Sequence, residues 1–552
     1  MLEGFVPFPE AFARRYREAG YWQDRTLAVT FQEVCAAQGE RVAVCNASEQ
    51  VTYRQVDERA TNLSLNLLDT GLQPGDIVVL QLGNVLEFVY TYFALLKIGV
   101  LPILALHSHR YRELKQFVEL SGAVAAITAD RAKDCSYAEI IDKIQAETSS
   151  LRLKFILGEV PAGFIDLKSL IHQPAHREVS EIDTIQRTID PAGPALFLLS
   201  GGTTAIPKLI PRTHNDYVCN SRLAARYTAI TPDSVLLDVL PIAHNLPLAC
   251  PGLQGFMLSG AKVVLHTSTA AEEVFALVER YQVTHIHVVP ALLITWMNHP
   301  AVNDYDLSSV RVIQSGGQRL QPETRLLTER VLTNCTVQEN FGMAEGLLMF
   351  VRLDDPADVR LETVGRPVCA DDEVLILGDD DQPVARGETG ELCCRGPYTL
   401  RGYFNAPEHN ARAFTYDGFY RSGDLVRQHE SGNYIVEGRK KDVINRGGEK
   451  ISAEEVENLI LAHKAVQNVA CVAMSDAVLG EKMCAAAILK KGSSLTIEEL
   501  VAHLKEQQIA RFKMPERLEI FDEFPLSTFG KVSKQDLVKL VQQRIQHTQG
   551  TH

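Results

Sequence analysis

The stretch Ile77-Val-Val-Leu-Gln-Leu82 is followed by Val85–Ile98, in which apolar residues recur at helical spacing. A short, almost wholly apolar run is typical of a strand buried on both faces, and the amphipathic segment after it is typical of a helix packed on a sheet. The run Val124-Ala-Ala-Ile-Thr128 repeats the strand pattern farther along the chain. This alternation of strand and helix predicts an α/β fold.

The same alternation extends outward over residues 51–190 and resumes at 234–289. From about Val368 the segments become short and are punctuated by turns such as Gly387-Glu-Thr-Gly390, which is typical of antiparallel strands. We therefore expect a large N-terminal part made of two α/β subdomains and a small β-barrel-like region.

After the charged stretch Gly438–Gly448, α/β periodicity returns in a smaller C-terminal unit. The pattern predicts helices at 454–463 and 497–507 and strands at 469–474 and 484–489. We place the boundary between the large part and this α+β unit near 438–444.

The bulk composition excludes several classes of protein. A chain of 552 residues exceeds what one hydrophobic core supports, so at least two domains are expected. The net charge of -14 disfavours non-specific binding to nucleic acid or to anionic membranes. The 11 cysteines form no C-x-x-C pair, and no segment reads as a signal peptide or a membrane span, so we expect a cytoplasmic protein with reduced thiols.

Two segments have residue types suited to holding a nucleotide's phosphates. In Leu198–Lys208 an apolar run enters a loop of glycines, hydroxyl residues and a lysine, which can surround a polyphosphate although it is not a Walker A loop. In Gln338–Glu345 a carboxylate follows a glycine turn and could hold Mg²⁺. Taken alone, each segment is more often an ordinary loop or turn.

Two further segments have residue types suited to the rest of a nucleotide and to its reaction. In Tyr420-Arg-Ser-Gly-Asp424, with Arg439 farther on, an aspartate could accept hydrogen bonds from ribose hydroxyls. In Pro525–Lys531 a lysine on a glycine-containing loop could neutralise charge on a carboxylate and an α-phosphate as they react. A solvated turn and a surface lysine are the simpler interpretations of each in isolation.

In combination, the four segments resemble those of the adenylate-forming superfamily of acyl-CoA synthetases, firefly-type luciferases and peptide-synthetase adenylation domains. The resemblance covers nearly the whole chain and includes Arg446–Ser452. It implies an ATP-dependent and Mg²⁺-dependent ligase with an AMP-binding core at 1–438, a hinge at 439–443 containing Lys441, and a mobile C-terminal domain at 444–552. It further implies two orientations of that domain: one delivers Lys531 for adenylation, and the other presents Gly447 and Gly448 to the incoming thiol.

The resemblance also assigns roles to individual residues. Lys531, His244 and Glu345 match catalytic positions, and Glu345 also matches the magnesium-associated glutamate. The positions that match ATP or AMP contacts are Ser200, Gly201, Gly202, Thr203, Thr204, Lys208, Gly316, Phe341, Asp424 and Arg439.

Within the superfamily, the chain most resembles stand-alone aryl-acid ligases of siderophore pathways. This resemblance rests on segments such as Phe5–Glu10, Ile206–Tyr217 and Pro241–Asn245. It implies that Asn245 binds the 2-hydroxyl of 2,3-dihydroxybenzoate or salicylate, with His244 beside the carboxylate.

The residues expected to line the ring leave the two acids open. Cys250 matches a position that is cysteine in salicylate enzymes and serine in dihydroxybenzoate enzymes. Asn340 stands where the family usually has an aliphatic residue, and a polar side chain there could meet an additional ring substituent. Cys250 also has the simpler interpretation of a core residue, since free cysteines are commonly buried.

The expected acceptor is the phosphopantetheine thiol of an aryl carrier domain in another protein, with neither nucleic acid nor membrane as a partner. An aryl- or acyl-CoA synthetase that uses free coenzyme A is the alternative. A luciferase-like oxygenase and an inactive adenylate-binding regulator are more distant alternatives.

Overall fold

The computed structural model describes residues 2–132, 135–200, 207–446, 449–476, 478–507, 509–526 and 532–549. It divides into two compact units: the first comprises the described residues of 1–200, 207–373 and 394–420, and the second those of 374–393 and 421–549. Over the described ranges, no helix combines the length and apolarity needed to cross a membrane. The predicted boundary near 438–444 stays a prediction, because compactness does not identify a residue about which a domain would rotate.

Nineteen α-helices lie within the described residues. They are α1 Glu10–Glu18, α2 Leu27–Gln38, α3 Tyr53–Asp69, α4 Leu86–Lys97, α5 Tyr111–Ser121, α6 Tyr137–Glu147, α7 Leu167–His172, α8 Ser180–Gln186, α9 His214–Tyr227, α10 Asn245–Ala249, α11 Gly252–Leu258, α12 Ala271–Tyr281, α13 Pro290–Met297, α14 Pro322–Val331, α15 Ala357–Glu362, α16 Pro407–Ala413, α17 Ala453–Leu461, α18 Ile497–Glu506 and α19 Lys534–Gln549.

The strands are β1 Val42–Cys45, β2 Gln50–Thr52, β3 Ile77–Gln81, β4 Leu101–Leu104, β5 Ala125–Ala129, β6 Arg131–Ala132, β7 Cys135–Ser136, β8 Leu153–Leu157, β9 Ile165–Asp166, β10 Pro194–Leu199, β11 Leu209–Thr213, β12 Val235–Asp238, β13 Lys262–Leu265, β14 His285–Val288, β15 Val312–Ser315, β16 Thr336–Met343, β17 Gly346–Phe350, β18 Arg366–Pro367, β19 Glu373–Leu377, β20 Gly390–Arg395, β21 Tyr420–Gln428, β22 Tyr434–Arg439, β23 Val443–Arg446, β24 Glu449–Ser452, β25 Val466–Asp476, β26 Gly480–Leu489 and β27 Arg517–Ile520.

A nine-stranded sheet forms the larger half of the first unit, in the order β18-β17-β16-β15-β14-β12-β13-β1-β2. Its central strands from β16 to β1 run parallel, and antiparallel strands close both edges. One face packs on α12, α13 and α14 through an apolar cluster that includes Phe275 and the fully buried Trp296. Parallel strands covered on both faces explain the nearly continuous apolar runs in the sequence.

A seven-stranded sheet forms the other half, in the order β11-β10-β4-β3-β5-β8-β9. The segment predicted as a buried strand at 77–82 is β3, and the helical segment after it is α4. The edge pair β10 and β11 is antiparallel, and β11 leads directly into α9. The predicted α/β architecture is confirmed.

The second unit contains two smaller sheets. The turn-rich region predicted to be antiparallel and barrel-like is a four-stranded sheet in the order β19-β20-β21-β22. A five-stranded sheet, β24-β23-β26-β25 with β27 beside β26, has α17 and α18 on one face and α19 on the other. The two faces alternate along β25, where Cys471 joins one apolar cluster and Val472 joins the other.

A buried ion pair joins α14 to β16 in the first unit. Arg325 donates to Glu339 Oε2 at 3.0 Å and to the Val337 carbonyl at 2.7 Å, and Glu339 Oε1 accepts from the Leu320 amide at 3.0 Å. Both side chains are almost completely buried. Burial lowers the pKa of Arg325 and raises the pKa of Glu339, so each charge depends on the other.

We predict that Arg325→Met lowers the free energy of unfolding by about 3–5 kcal/mol, because it leaves a buried carboxylate without its cation. The loss should shrink as the pH falls toward the ordinary glutamate pKa, since protonation of Glu339 removes the uncompensated charge. Denaturant unfolding at two pH values measures both effects. Arg330→Met on the exposed side of the same helix is the control, and equal losses in the two variants would contradict the prediction.

Candidate active site

The two ends of the predicted phosphate loop are tied together by backbone and side-chain hydrogen bonds. The Ser200 amide donates to the Lys208 carbonyl at 3.0 Å, and the Lys208 amide donates to Ser200 Oγ at 2.9 Å. These bonds extend the antiparallel pairing of β10 and β11, which brings Leu199 opposite Leu209. The loop residues Gly201, Gly202, Thr203 and Thr204 lie outside the described residues, so their phosphate-binding role stays a prediction.

Glu345 occupies the turn between β16 and β17 and is held there by aromatic hydroxyls. Its Oε1 accepts a hydrogen bond from the Tyr403 hydroxyl at 2.7 Å, and that hydroxyl lies 2.9 Å from the Tyr420 hydroxyl. Burial raises the pKa of Tyr403, with Glu345 adding to the shift, so the phenol keeps its proton and donates. Lys208 Nζ lies 5.7 Å from the centre of the Tyr403 ring, which brings the end of the phosphate loop close to this carboxylate.

The surroundings of Glu345 suit a metal ion that is held partly by a nucleotide. A carboxylate has lone pairs beyond the one used by a single donor, and Mg²⁺ is usually bound by one or two carboxylates together with substrate phosphates. Among the described residues, no group of three or more His, Cys, Asp or Glu side chains could hold a metal ion by itself. The residues present therefore fit a Mg²⁺ that arrives with ATP better than a protein-only metal site.

Arg212 links the phosphate loop to the Glu345 turn. This fully buried residue on β11 donates to Asp216 Oδ1 at 2.9 Å, to the Ala344 carbonyl at 3.0 Å and to the Tyr398 carbonyl at 3.3 Å. Its guanidinium also lies 4.5 Å from the centre of the Tyr217 ring. One cation therefore fixes the residue before Glu345, the start of α9 and the chain that leads to Tyr403.

The beginning of α9 has a sequence pattern that explains this arrangement. Thr213 caps the helix by accepting from the Asp216 amide, and Asp216 in turn accepts from the Thr213 amide at 2.6 Å. A reciprocal cap of this kind satisfies backbone donors that a helix cannot pair internally. One Asp216 oxygen thus accepts from the backbone at the start of the helix, and the other accepts from Arg212.

Asn245 is the first residue of α10 and is oriented by α9. The Tyr217 hydroxyl donates to Asn245 Oδ1 at 3.0 Å, and Asn245 Nδ2 lies 3.4 Å from the Met343 carbonyl. The amide oxygen is thus engaged, while the amide nitrogen has one long contact with a carbonyl and the weakly accepting Cys250 thiol nearby, which leaves hydrogen-bonding capacity for a ligand. His244 precedes Asn245 as the N-cap position of α10 and is partly exposed.

Cys250 is buried between α9 and α11, and its thiol interacts with the side chains of Asn220 and Asn245. It is almost completely buried in an apolar cluster with Trp22 and Tyr398, and Asn220 Nδ2 lies 3.5 Å from its Sγ. Burial raises the pKa of the thiol to about 11, so it stays neutral. The core-residue interpretation accounts for these contacts, and a role in reading the acid stays a prediction.

Gly316 and Asn340 approach each other at the ends of β15 and β16. A Cβ atom built on Gly316 would lie 2.1 Å from Asn340 Oδ1, so a larger residue would displace that side chain. Asn340 is 8% exposed, and among the described residues its Nδ2 has no hydrogen-bond partner. Phe341 follows on β16 and is partly exposed, whereas Gly316 is buried, and the roles of both in binding the nucleotide stay predictions.

The second unit contains the residues predicted to bind ribose. Asp424 on β21 and Arg439 on β22 are directly opposite each other, with Arg439 Nε 2.9 Å from Asp424 Oδ1. Lys441 follows in a short 3₁₀ turn, and burial, with Arg439 adding to the effect, lowers its pKa. Lys531, Gly447 and Gly448 lie outside the described residues, so their roles stay predictions.

Comparisons with known proteins decide the family. The profile of the AMP-binding enzyme family matches residues 31–404, and that of the AMP-binding enzyme C-terminal domain matches residues 455–531. The chain belongs to the AMP-binding enzyme family. It is therefore an adenylate-forming ligase, and the predicted superfamily and enzyme class are confirmed.

Proteins similar to this AMP-binding enzyme match it over nearly the whole length of both chains. A Streptomyces salicylyl-CoA synthase / salicylate adenylyltransferase is 45% identical over 98% of each chain. A 2,3-dihydroxybenzoate-AMP ligase from Bacillus subtilis is 40% identical over 99% of each chain. The apo structure of MbtA from Mycobacterium smegmatis has a TM-score of 0.74 and 39% identity, covering 97% of this chain and 98% of that one.

Sequence reasoning about this AMP-binding enzyme missed Arg212, Tyr217 and Tyr403, which position the residues it had singled out. The spacing of Arg212, Thr213 and Asp216 offered a signal, because a Thr with an acidic residue at the N3 position marks a helix start. No comparable signal pointed to Tyr403, because its partner Glu345 is distant in sequence.

We predict that Arg212→Met destabilises this AMP-binding enzyme by about 3–5 kcal/mol, since Asp216 is left buried without its cation. The double variant with Asp216→Leu should recover part of that stability, but ATP–pyrophosphate exchange should stay at least roughly tenfold below wild type, because the Ala344 and Tyr398 carbonyls lose their donor. Thermal unfolding and exchange rates separate the two effects. Arg222→Met, at an exposed position of α9, is the control; full activity in the double variant would contradict the role of Arg212.

Proposed function

We propose that the enzyme activates an aryl acid with ATP and transfers the aryl group to the phosphopantetheine thiol of a carrier protein in siderophore biosynthesis. The observation that carries the proposal is Asn245, whose amide is oriented by Tyr217 beside the strand that leads to Glu345. The names of the relatives support it, since these proteins are described as acting on salicylate or 2,3-dihydroxybenzoate.

The first half-reaction joins the acid to the nucleotide. A carboxylate oxygen attacks the α-phosphorus of ATP, a new P–O bond forms, and the bond to the β-phosphate breaks to release pyrophosphate. Lys208 and the loop from Ser200 bind the β- and γ-phosphates in this proposal. Glu345 would hold Mg²⁺, which shields the charge on the departing pyrophosphate.

Residues of the second unit complete this half-reaction in the proposal. Asp424 accepts from the ribose hydroxyls, and Arg439 keeps that carboxylate in place. Lys531 neutralises the carboxylate and the α-phosphate as they meet. In the proposal His244, which directly precedes Asn245, lies next to the carboxylate of the acid.

The second half-reaction replaces the nucleotide with a thiol. A thiolate attacks the carbonyl carbon of the adenylate, the thioester bond forms, and AMP leaves with the electron pair of the anhydride bond. Free coenzyme A is a second candidate acceptor, because a 45% identical relative is named a salicylyl-CoA synthase. Side-by-side assays with coenzyme A and with a phosphopantetheinylated aryl carrier domain distinguish the two.

We predict that ATP–pyrophosphate exchange requires a 2-hydroxyl on the benzoate ring, because acids that lack it leave one N–H of the buried Asn245 amide without an oxygen acceptor. Salicylate should exceed benzoate by roughly 100-fold in kcat/KM, and Asn245→Leu should remove most of this difference. The exchange assay with both acids measures it. Comparable wild-type rates with the two acids would refute the role of Asn245.

We predict that Lys531→Ala lowers the adenylation rate by roughly 100-fold or more and leaves thiol transfer from preformed aryl adenylate nearly unchanged, because the ammonium is needed only while the acid and the α-phosphate react. Exchange measures the first half-reaction, and carrier acylation from added adenylate measures the second. Lys539→Ala, an exposed lysine of α19, is the control. Equal damage to both half-reactions would argue against a lysine used in adenylation alone.

A further inference from the structure

A row of polar side chains crosses one face of the nine-stranded sheet. Leu237, Ile286, Ile313 and Val337 are register partners on β12, β14, β15 and β16, and they join the apolar cluster under α12, α13 and α14. Because side chains alternate along a strand, the next residue on each strand points to the opposite face. These residues are Asp238, His287, Gln314 and Gln338.

Three members of this row are buried with side-chain atoms that lack hydrogen-bond partners, although Gln314 Nε2 lies 3.4 Å from Gln338 Oε1. Asp238 is 0% exposed, His287 1% and Gln314 0%. Within the described part of the chain, both carboxylate oxygens of Asp238, both ring nitrogens of His287 and Oε1 of Gln314 lack a partner. Buried polar groups in native proteins are almost always paired with protein, water or ligand, so a continuous set of unpaired ones marks a place where something binds.

Gln338, at the end of the row, has protein hydrogen-bond partners for both polar atoms of its side chain. Its Nε2 donates to the carbonyls of Tyr227 and Val351, and its Oε1 accepts from Thr228. The same is true one row nearer the amino ends of the strands, where His285 Nε2 lies 3.1 Å from the Thr228 carbonyl. The unpaired atoms are therefore concentrated at Asp238, His287 and Gln314.

The helices over this face are the ones that form the acid pocket. The Phe256 ring of α11 lies 6.2 Å from the His287 ring, and Gln254 of the same helix donates to the Tyr217 carbonyl on α9. Tyr217 in turn holds Asn245. Helix α11 therefore covers the polar row, and it is linked through Tyr217 of α9 to the residue that we propose to bind the acid.

A ligand would reach this row from the carboxyl ends of the strands. In open α/β sheets, ligands bind in the crevice beyond these ends. Asn340 lies one step beyond Gln338 on the same face of β16, against Gly316 at the end of β15, and its unpaired Nδ2 adds a donor to the set. Asn84 donates to the carbonyls of Asp238 and Leu240, which fixes the segment that leads from the row to Asn245.

We infer that this polar row is the floor of the acid pocket, and that His287 and Asn340 bind a second hydrogen-bonding substituent, a hydroxyl or an amino group, on the ring of the aryl acid. The inference rests on the proposed function and names its substrate class: benzoates with a polar ring substituent in addition to the one at Asn245. Salicylate, which has a single ring hydroxyl, is then the poorer substrate.

The hydrogen-bonding capacities agree with such a substituent. Burial lowers the pKa of His287 to about 3, so the ring is neutral and offers one donor and one acceptor. Asn340 Nδ2 can only donate and Gln314 Oε1 can only accept. Burial raises the pKa of Asp238, which favours its protonated carboxyl. A hydroxyl or amino group can both donate and accept within this set, whereas a bare C–H edge leaves it unpaired.

The test is ATP–pyrophosphate exchange with a series of acids on the full-length enzyme. The series contains salicylate, 2,3-, 2,4- and 2,5-dihydroxybenzoate and 3-amino-2-hydroxybenzoate. We expect at least one disubstituted acid to exceed salicylate by roughly tenfold to 100-fold in kcat/KM. His287→Ala and Asn340→Val should each reduce that ratio at least about fivefold, with most of the loss in the disubstituted acid's KM.

His285→Leu is the matched control, since it lies on the same strand and face but has a partner for its ring nitrogen. It should keep the wild-type ratio even if its unfolding temperature falls. The inference would be overturned if every disubstituted acid had a kcat/KM within about threefold of salicylate in the wild-type enzyme. It would also be overturned if both variants kept the wild-type ratio of these two values. The row would then be filled by structural water only. Absence of exchange with every aryl acid would instead refute the proposed function.

Discussion

The arrangement of the first unit depends on one buried cation. Arg212 has no access to solvent, so its charge must be met by protein groups. It meets the Asp216 carboxylate and two carbonyls, those of Ala344 and Tyr398. These partners come from distant parts of the chain. Because all of them accept hydrogen bonds from one guanidinium, the predicted phosphate loop, the start of α9 and the Glu345 turn are held together.

Glu345 shows how this framework prepares a charged group for a nucleotide. The backbone before it is held by Arg212, its own carbonyl accepts from the Leu400 amide at 2.7 Å, and its side chain accepts from Tyr403. A carboxylate positioned by rigid neighbours loses little freedom when an ion and phosphates arrive. Asn245 is positioned in the same way, because the hydrogen bond from Tyr217 orients its amide without a ligand.

The polar row on the nine-stranded sheet, which we propose as the floor of the acid pocket, differs from the rest of that face in how its polar groups are paired. Gln338 and His285 use neighbouring carbonyls, while Asp238 and His287 have none within the described chain. Protein interiors rarely leave such groups unpaired, because desolvation without a hydrogen bond is unfavourable. The contrast within a single sheet face separates groups whose hydrogen bonds are satisfied by the fold from those that we propose to bind the ligand, and the proposal extends to the polar side chain of Asn340.

The sequence by itself determined the α/β layering, the smaller C-terminal unit and the family, because these depend on local periodicity and on motifs that are contiguous in the chain. It identified Glu345 and Asn245 as candidates on the same basis, while Lys531 and the glycines at 447 and 448 stay predictions outside the described residues. Only the tertiary structure decided that Arg212 and Tyr403 hold the Glu345 turn, that Cys250 packs in a core with Asn220, and that Asp238, His287 and Gln314 form one row. These facts depend on strand register and on side chains brought together from distant positions, and neither is encoded in a short stretch of sequence.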